Sequence, residues 1–270
     1  MITLSVSSFK GGTAKTSSCL HIASSLALHH NFRVLVVDFD AQANLTSGLG
    51  FDVDQYDSIA SALQKSRPVD EVILETSVKG LDLIPADIWL ERIEVTGSLA
   101  TDRYSHERLK TTLKPLSNRY DFVFIDTPPS LCWLTESALI ASDYALVCAT
   151  PEFYSVKGLQ RLSSFLQTMG ERHSVDVLGV CLSFWNPRGK NNQAFLEVIE
   201  ENFPGALCST KVRKDVAITE AAIMGKPAYL THPRSRATED FTKLTKELVE
   251  KLVKSKKKPV LKSQKVLASK

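Results

Sequence analysis

The sequence predicts an α/β protein with a doubly wound, mostly parallel sheet flanked by helices. Apolar runs rich in β-branched residues alternate along the chain with segments of helical periodicity. Two of the runs, 34–37 and 122–125, are apolar at every position, as strands covered on both faces require. This alternation is typical of a parallel sheet whose strands are connected by helices.

The predicted elements follow one another along the whole chain. Candidate strands cover residues 2–7, 33–38, 81–84, 122–126, 144–150, 177–184 and 228–230. Candidate helices cover residues 16–29, 57–66, 105–118, 131–141, 155–169, 191–202, 216–224 and 238–254. We expect a single domain over 1–253, followed by a lysine-rich flexible tail at 254–270, because Pro259 and the lysines around it cannot continue a helix.

Bulk properties indicate a soluble globular protein. Of 270 residues, 43% are hydrophobic and 23% are charged. The sequence contains no run of 18 apolar residues, so we expect no membrane span. The first strand begins at once, which leaves no room for a signal peptide. Five cysteines without a C-x-x-C pair indicate reduced thiols in a cytoplasmic protein. The net charge is +3, but residues 251–270 hold eight lysines and no acid, so the first 250 residues carry −5.

Residues 9–17, FKGGTAKTS, lie between the first strand and the first helix. In this position a glycine-rich turn points backbone N–H groups at an anion, and the helix N-terminus adds partial positive charge. Lys15 is expected to reach the β- and γ-phosphates of a nucleotide, and the Thr16 hydroxyl to hold Mg²⁺. The predicted nucleotide contacts are Lys10, Gly11, Gly12, Thr13, Ala14, Lys15, Thr16 and Ser17.

This loop departs from the usual G-x-x-x-x-G-K-[ST] pattern at both glycines. Phe9 and Ala14 occupy those places, and a second lysine, Lys10, precedes Lys15 by five residues. Because an L-residue disfavours positive φ, we expect the backbone at Ala14 to be right-handed.

Acidic residues end two other strands, where ligands bind in such sheets. The second strand ends in D-F-D-A-Q-A-N at 38–44, so that Asp38 and Asp40 point to the same side. The fourth ends in D-T-P-P at 126–129. An aspartate after an apolar strand is the Walker B arrangement, in which Asp126 holds Mg²⁺.

These three motifs together resemble the ParA/MinD ATPases, a P-loop NTPase subclass with a deviant Walker A loop. The match covers residues 2 to about 253 and is closer to the ParA/Soj chromosome- and plasmid-partitioning branch than to MinD. The resemblance implies ATP and Mg²⁺ as cofactors. It also implies that Lys10 contacts the nucleotide of the facing subunit, Asp40 orients the attacking water and Asp38 acts in the Mg²⁺ shell.

The resemblance extends to base and DNA contacts. Asn186 and Asp215 stand where the family places residues near the adenine. An ATP-sandwich homodimer that binds DNA without sequence preference is implied, with hydrolysis stimulated by a ParB-like partner and a nucleoid-associated location. Basic residues between 188 and 236 favour such DNA binding independently. The predicted DNA contacts are Arg188, Lys190, Arg213, Lys214, Arg234 and Arg236.

Other functions stay open at this point. One is a MinD-like positioning ATPase that cycles on membranes, and another is a biosynthetic ligase of the dethiobiotin synthetase type. Ala14, Ala41 and Ala43 motivate a third, a non-hydrolysing nucleotide-gated scaffold. An iron protein of the nitrogenase type is excluded, because no second cluster cysteine lies between Cys19 and Cys132.

Overall fold

The computed structural model describes residues 1–255 except 9, 98, 100, 101, 103, 171, 172 and 174. Phe9 and most of the predicted tail, residues 256–270, therefore lie outside the described residues. The strands are β1 Ile2–Ser7, β2 Val34–Asp38, β3 Leu74–Glu75, β4 Leu81–Ile84, β5 Phe122–Asp126, β6 Tyr144–Ala149, β7 Asp176–Trp185 and β8 Leu207–Arg213.

The helices connect and cover these strands. They are α1 Lys15–His30, α2 Asn44–Gly48, α3 Ile59–Leu63, α4 Trp89–Thr96, α5 Arg108–Leu113, α6 Trp133–Ala141, α7 Phe153–Gly170, α8 Asn192–Asn202, α9 Val216–Ile223, α10 Ala228–Thr231 and α11 Arg236–Lys254. Short 3₁₀ turns occur at Val69–Val72, Ser105–Glu107 and Lys114–Asn118.

The strands form one sheet in the order β3-β4-β2-β5-β1-β6-β7-β8. Every neighbouring pair is parallel except β3 with β4. Both faces are covered: Val34 and Val36 of β2 share a core with α1 and α11, whereas Leu35 and Val37 share the opposite core with α3, α5 and α6. The predicted doubly wound, mostly parallel sheet is confirmed.

The sheet register brings the predicted acidic residues together. Asp38 at the end of β2 pairs in register with Asp126 at the end of β5, and Val6 of β1 pairs with Asp126 from the other side. The carboxyl ends of β2, β5 and β1 thus form one edge, and the loop after β1 leaves from it.

Two parts of the predicted element map are wrong or incomplete. The predicted strand at 228–230 is the helix α10, because Pro227 precedes it with a φ of −65° and starts a helical turn. Strand β8 was not predicted, since exposed and half-buried polar residues such as Ser209 interrupt its apolar pattern at the edge of the sheet. The helices α2 and α4 and the two-residue strand β3 were also not predicted.

The apolar stripe of α11 packs inward. Of its residues, Leu248, Val249 and Leu252 are buried with Leu244 in the core shared with α1, whereas Val253 is 55% exposed. Most of this stripe is therefore not available for a membrane surface. Within the described ranges, no helix combines the length and apolar character that crossing a bilayer requires.

Candidate nucleotide site

The loop between β1 and α1 forms an open cradle of backbone donors. Among the described residues, the N–H groups of Gly11, Gly12 and residues 14–17 make no backbone hydrogen bond, while the Thr13 N–H faces the Lys10 carbonyl across the turn at Gly11 and Gly12. A Cβ added to Gly11 or Gly12 would meet nothing within 4 Å. Helix α1 has no side-chain N-cap and no acidic residue in its first turn. Because unpaired N–H groups at a helix N-terminus attract anions, the loop fits a phosphate group.

Ala14 corrects one expectation from the sequence. Its backbone is left-handed, with φ 60° and ψ 31°, and not right-handed as expected. Local hydrogen bonds hold this part of the loop, from the Thr13 hydroxyl to Ser8 Oγ at 2.7 Å and from the Ser18 N–H to the Ala14 carbonyl at 2.8 Å. Ala43 is also left-handed, with φ 50°. Both alanines hold a backbone conformation that glycine adopts more readily.

Replacing Ala14 by glycine is expected to stabilise the fold. The substitution removes the left-handed penalty of a Cβ, so the free energy of unfolding should rise by about 0.5–1 kcal/mol. Urea unfolding followed by circular dichroism measures this change. The matched control is Ala222→Gly, an exposed position of the right-handed helix α9, where the free energy of unfolding should fall by about 1 kcal/mol. If Ala14→Gly lowers the free energy of unfolding as much as Ala222→Gly does, the role given to the left-handed backbone is contradicted.

The two lysines of the loop have different surroundings. Lys15 is 7% exposed in the first turn of α1, and its charge favours ionisation of Asp126. Lys10 is about a third exposed and forms an ion pair with Glu152, which follows β6. Lys15 therefore belongs to the interior of the site, whereas Lys10 lies at its rim. Glu152 was not found from the sequence, since only the fold brings it to Lys10.

The two buried aspartates differ in their hydrogen bonds. Asp38 accepts three: from the Thr46 N–H at 2.8 Å, from the Thr46 hydroxyl at 2.8 Å and from the Asp40 N–H at 3.3 Å. Burial raises the pKa of Asp38 to about 6, and these hydrogen bonds oppose the rise. Asp38 thus anchors α2 through Thr46, a residue whose role the sequence did not reveal.

Asp126 keeps its oxygens unpartnered. Neither carboxylate oxygen accepts a well-formed hydrogen bond from the described part of the chain. Burial, and then the neighbouring charge of Asp38, raise the pKa of Asp126 to about 8, while the Thr16 hydroxyl and the Lys15 ammonium oppose the rise. A buried carboxylate without partners needs a cation or water. Thr16 and Asp126 therefore fit Mg²⁺, which takes few protein ligands and keeps several waters.

Asp40 lies at the surface of the same edge. Its carboxylate accepts from the Gln42 N–H at 3.0 Å, and its carbonyl accepts from the Ala43 N–H at 2.8 Å. Thr127, after β5, donates its hydroxyl to the Val6 carbonyl at 2.9 Å. The segments after β2 and β5 thus lie next to one another on the same side of the phosphate loop, which follows β1.

Comparison with known proteins decides the family. A family profile described as an AAA domain matches residues 1–177. A ParA family protein of Chlamydia muridarum is 63% identical over 249 residues, which cover 92% of this chain and 98% of the relative. The chain belongs to the ParA family.

More distantly similar proteins match this chain over nearly the same extent. The sporulation initiation inhibitor protein Soj of Bacillus subtilis is 33% identical, over 91% of this chain and 97% of Soj. The solved structure of the septum site-determining protein MinD of Pyrococcus horikoshii, complexed with Mg-ADP, is 25% identical with a TM-score of 0.76, over 94% of this chain and 99% of MinD. The predicted family and the P-loop NTPase fold are confirmed.

The candidate base contacts of this ParA family chain are engaged within the protein. Asn186 is exposed after β7, and its Oδ1 accepts from the Arg188 N–H at 3.0 Å. Asp215 is the N-cap of α9, with Oδ1 accepting from the Ala217 N–H and Oδ2 from the Ala237 N–H, both at 3.2 Å. Contact of either residue with a base stays a prediction.

Among the predicted DNA contacts, Arg213 differs from the others. Its guanidinium donates to both oxygens of the buried Asp240, at 2.8 and 2.7 Å, and also reaches Glu239 at 3.3 Å. This pairing holds β8 to α11 and commits Nε and Nη2 of the guanidinium to carboxylates. The DNA prediction therefore rests on the exposed basic residues, which are Arg188, Lys190, Lys214, Arg234 and Arg236.

Proposed function

We propose that this ParA family chain is a Mg²⁺-dependent ATPase that binds DNA as a nucleotide-switched dimer and serves DNA segregation. The observation that carries the proposal is the juxtaposition of unpaired loop N–H groups, buried Lys15 and unpartnered Asp126 at one edge of the sheet. Donors for phosphate oxygens and a carboxylate for Mg²⁺ are the parts that phosphoryl transfer from ATP needs. Asp40, at the rim of this edge, orients the attacking water.

Exposed apolar side chains support dimerisation through this edge. Ile88 and Trp89 follow β4, Phe184 lies near the end of β7 and Val216 follows β8, and each is between 41% and 68% exposed. Large apolar side chains at one edge are typical of an interface. Lys10 lies at the same rim, so a facing subunit would bring its own Lys10 towards this nucleotide once Glu152 releases it.

The three alternatives have less support. The close similarity to a ParA family protein favours a partition ATPase over a biosynthetic ligase. A membrane-cycling protein needs an apolar surface helix, but three of the four apolar residues in the stripe of α11, Leu248, Val249 and Leu252, are buried. A non-hydrolysing scaffold was motivated by three alanines, and two of them, Ala14 and Ala43, keep left-handed backbones.

The decisive experiment measures ATPase activity and DNA retention together. Wild-type protein should bind unrelated DNA sequences equally with ATP and Mg²⁺ and release them with ADP. Asp40→Ala should bind ATP, lose hydrolysis by about 100-fold or more, and elute as a stable dimer on a sizing column. Asp40→Ala that stays monomeric with ATP would contradict the sandwich dimer. A candidate ParB-like partner is then added, and an unchanged hydrolysis rate would exclude it as the stimulating protein.

Charge reversal locates the DNA surface. Lys214→Glu with Arg236→Glu should weaken DNA binding at least about tenfold for every sequence and lower its salt dependence, since phosphate contacts are lost. The matched control reverses two exposed lysines at the opposite side of the sheet, Lys65 and Lys79. Equal losses in the two double variants would place the DNA surface elsewhere.

A further inference from the structure

Residues 225–228, the junction between α9 and α10, are contacted by two segments that leave the nucleotide site, α1 and the segment after α2. We infer that this junction couples the nucleotide to the C-terminal helices, with His21 as the positioning residue that holds it against α1. The inference rests on the proposed function, because it assigns a route by which the occupied site would act on the basic segment that follows.

The first contact comes from α1 through His21. This side chain is 2% exposed, its Nδ1 lies 2.7 Å from the Ser17 carbonyl, and its Nε2 lies 3.1 Å from the Ala228 backbone nitrogen. A backbone N–H can only donate, so Nε2 accepts and Nδ1 carries the proton. Burial lowers the pKa of His21 to about 4, so the neutral ring with this tautomer is the form present near neutral pH. One imidazole therefore bridges the first turn of α1 and the start of α10.

His21 also reaches α11. Its ring stacks on Phe241, with centroids 4.9 Å apart and planes 17° from parallel. Ser17, the acceptor of its hydrogen bond, follows Lys15 and Thr16 in the turn that carries the phosphate donors. A shift of that turn when phosphate binds would be transmitted through one rigid ring to α10 and α11.

The second contact comes from the segment after Asp38. Asp38 holds Thr46 of α2 by two hydrogen bonds, and α2 leads directly into Gly50. Gly50 and Gly225 both have left-handed φ values, +85° and +63°, and their backbones touch. A Cβ on Gly225 would lie 2.6 Å from the Gly50 Cα, a distance that real side chains do not reach.

The junction therefore receives one contact from the phosphate-binding helix and one from the segment that carries Asp40. It continues into α10, then into Arg234 and into Arg236, the first residue of α11. Two independent contacts on four residues give the nucleotide site a physical connection to these basic residues. The coupling requires that His21 keep both hydrogen bonds and that Gly225 keep its close approach.

The test of His21 uses two variants and hydrogen–deuterium exchange. His21→Phe keeps a ring against Phe241 but removes both hydrogen bonds, whereas His21→Gln restores a donor and an acceptor on one amide. In wild-type protein, ATP with Mg²⁺ should slow exchange in peptides covering 225–231. In His21→Phe, the slowing of exchange by ATP should be about three- to tenfold smaller than in wild type, and the KM for ATP should rise more than kcat falls. In His21→Gln, both the slowing and the KM should return towards their wild-type values.

The second contact has its own variant and a closely matched control. Gly225→Ala forces the junction away from Gly50, while Gly205→Ala introduces the same left-handed strain at φ +67° with nothing within 4 Å of the new Cβ. Gly225→Ala should uncouple DNA binding from ATP at unchanged ATP affinity. Gly205→Ala should keep the coupling.

The outcomes separate the coupling from the proposed function. The coupling is overturned, and the ATPase proposal stands, in either of two cases. In the first, wild-type protein binds ATP but ATP does not slow exchange at 225–231. In the second, ATP slows exchange in His21→Phe as much as in wild type. Equal behaviour of Gly225→Ala and Gly205→Ala overturns the second contact. A wild-type chain without ATP affinity overturns the proposed function and the coupling with it.

Discussion

Lys15→Ala is expected to weaken binding of ATP and ADP by at least about 100-fold. Lys15 is 7% exposed, so its ammonium meets phosphate oxygens in a site from which water is largely excluded, where removing one partner of a charge pair costs about 3 kcal/mol or more. Titration with a fluorescent nucleotide analogue or by calorimetry measures the loss. Thermal unfolding without nucleotide shows whether the variant is folded.

Lys10→Ala is the matched control for that experiment. Lys10 is about a third exposed and is held by Glu152, so its loss should leave the affinity of the monomer for nucleotide within a few-fold of wild type. Its effect should appear in the ATP-dependent dimer instead. Wild-type-like ATP affinity of Lys15→Ala would refute the assignment of the site.

Asp126→Asn is expected to stabilise the free protein and to abolish Mg²⁺-dependent hydrolysis. Burial and the neighbouring Asp38 raise the pKa of Asp126 from 3.8 to about 8. A raised pKa means that the stability contributed by this group is complete below about pH 4 and is lost as the pH rises towards 8. The amide that replaces the carboxyl group does not ionise, so the variant keeps its stability over that pH range. It should therefore unfold at a higher temperature than wild type at pH 8.

The size of both effects can be measured on one preparation. A gain of about 1 kcal/mol would raise Tm by roughly 2–4 °C at pH 8 without Mg²⁺, and the gain should shrink towards pH 5. ATPase activity should fall by about 100-fold or more, because the amide cannot replace the carboxylate that holds the Mg²⁺ shell. An Asp126→Asn variant that hydrolyses ATP normally would contradict the metal assignment.

Asp82→Asn is the matched control. Asp82 is a partly buried aspartate of β4, away from the site, and its carboxylate accepts a hydrogen bond from the Tyr120 hydroxyl. Its replacement should lower Tm and leave the rate of ATP hydrolysis unchanged.

Most of the site could be predicted from short segments. The loop 9–17, the aspartates at 38 and 40 and the D-T-P-P segment at 126–129 each carry their chemistry in a few neighbouring residues, and a parallel sheet brings strand ends to one edge. Strand β8 and helix α10 could not be predicted as reliably. An edge strand with polar positions lacks the apolar run of a buried strand, and three apolar residues after Pro227 do not distinguish helix from strand.

The sequence by itself determined the fold class, the family resemblance and the identity of the phosphate loop, because these depend on local patterns. Only the tertiary structure decided how the residues of the site are paired. It showed that Asp38 is well hydrogen-bonded, whereas Asp126 accepts no well-formed hydrogen bond from the described residues. It also showed that Ala14 is left-handed, that Lys10 meets Glu152, 142 positions away, and that His21 meets Ala228, 207 positions away. Hydrogen bonds and burial between residues so distant in the chain depend on how the whole chain packs, and no local pattern contains that information.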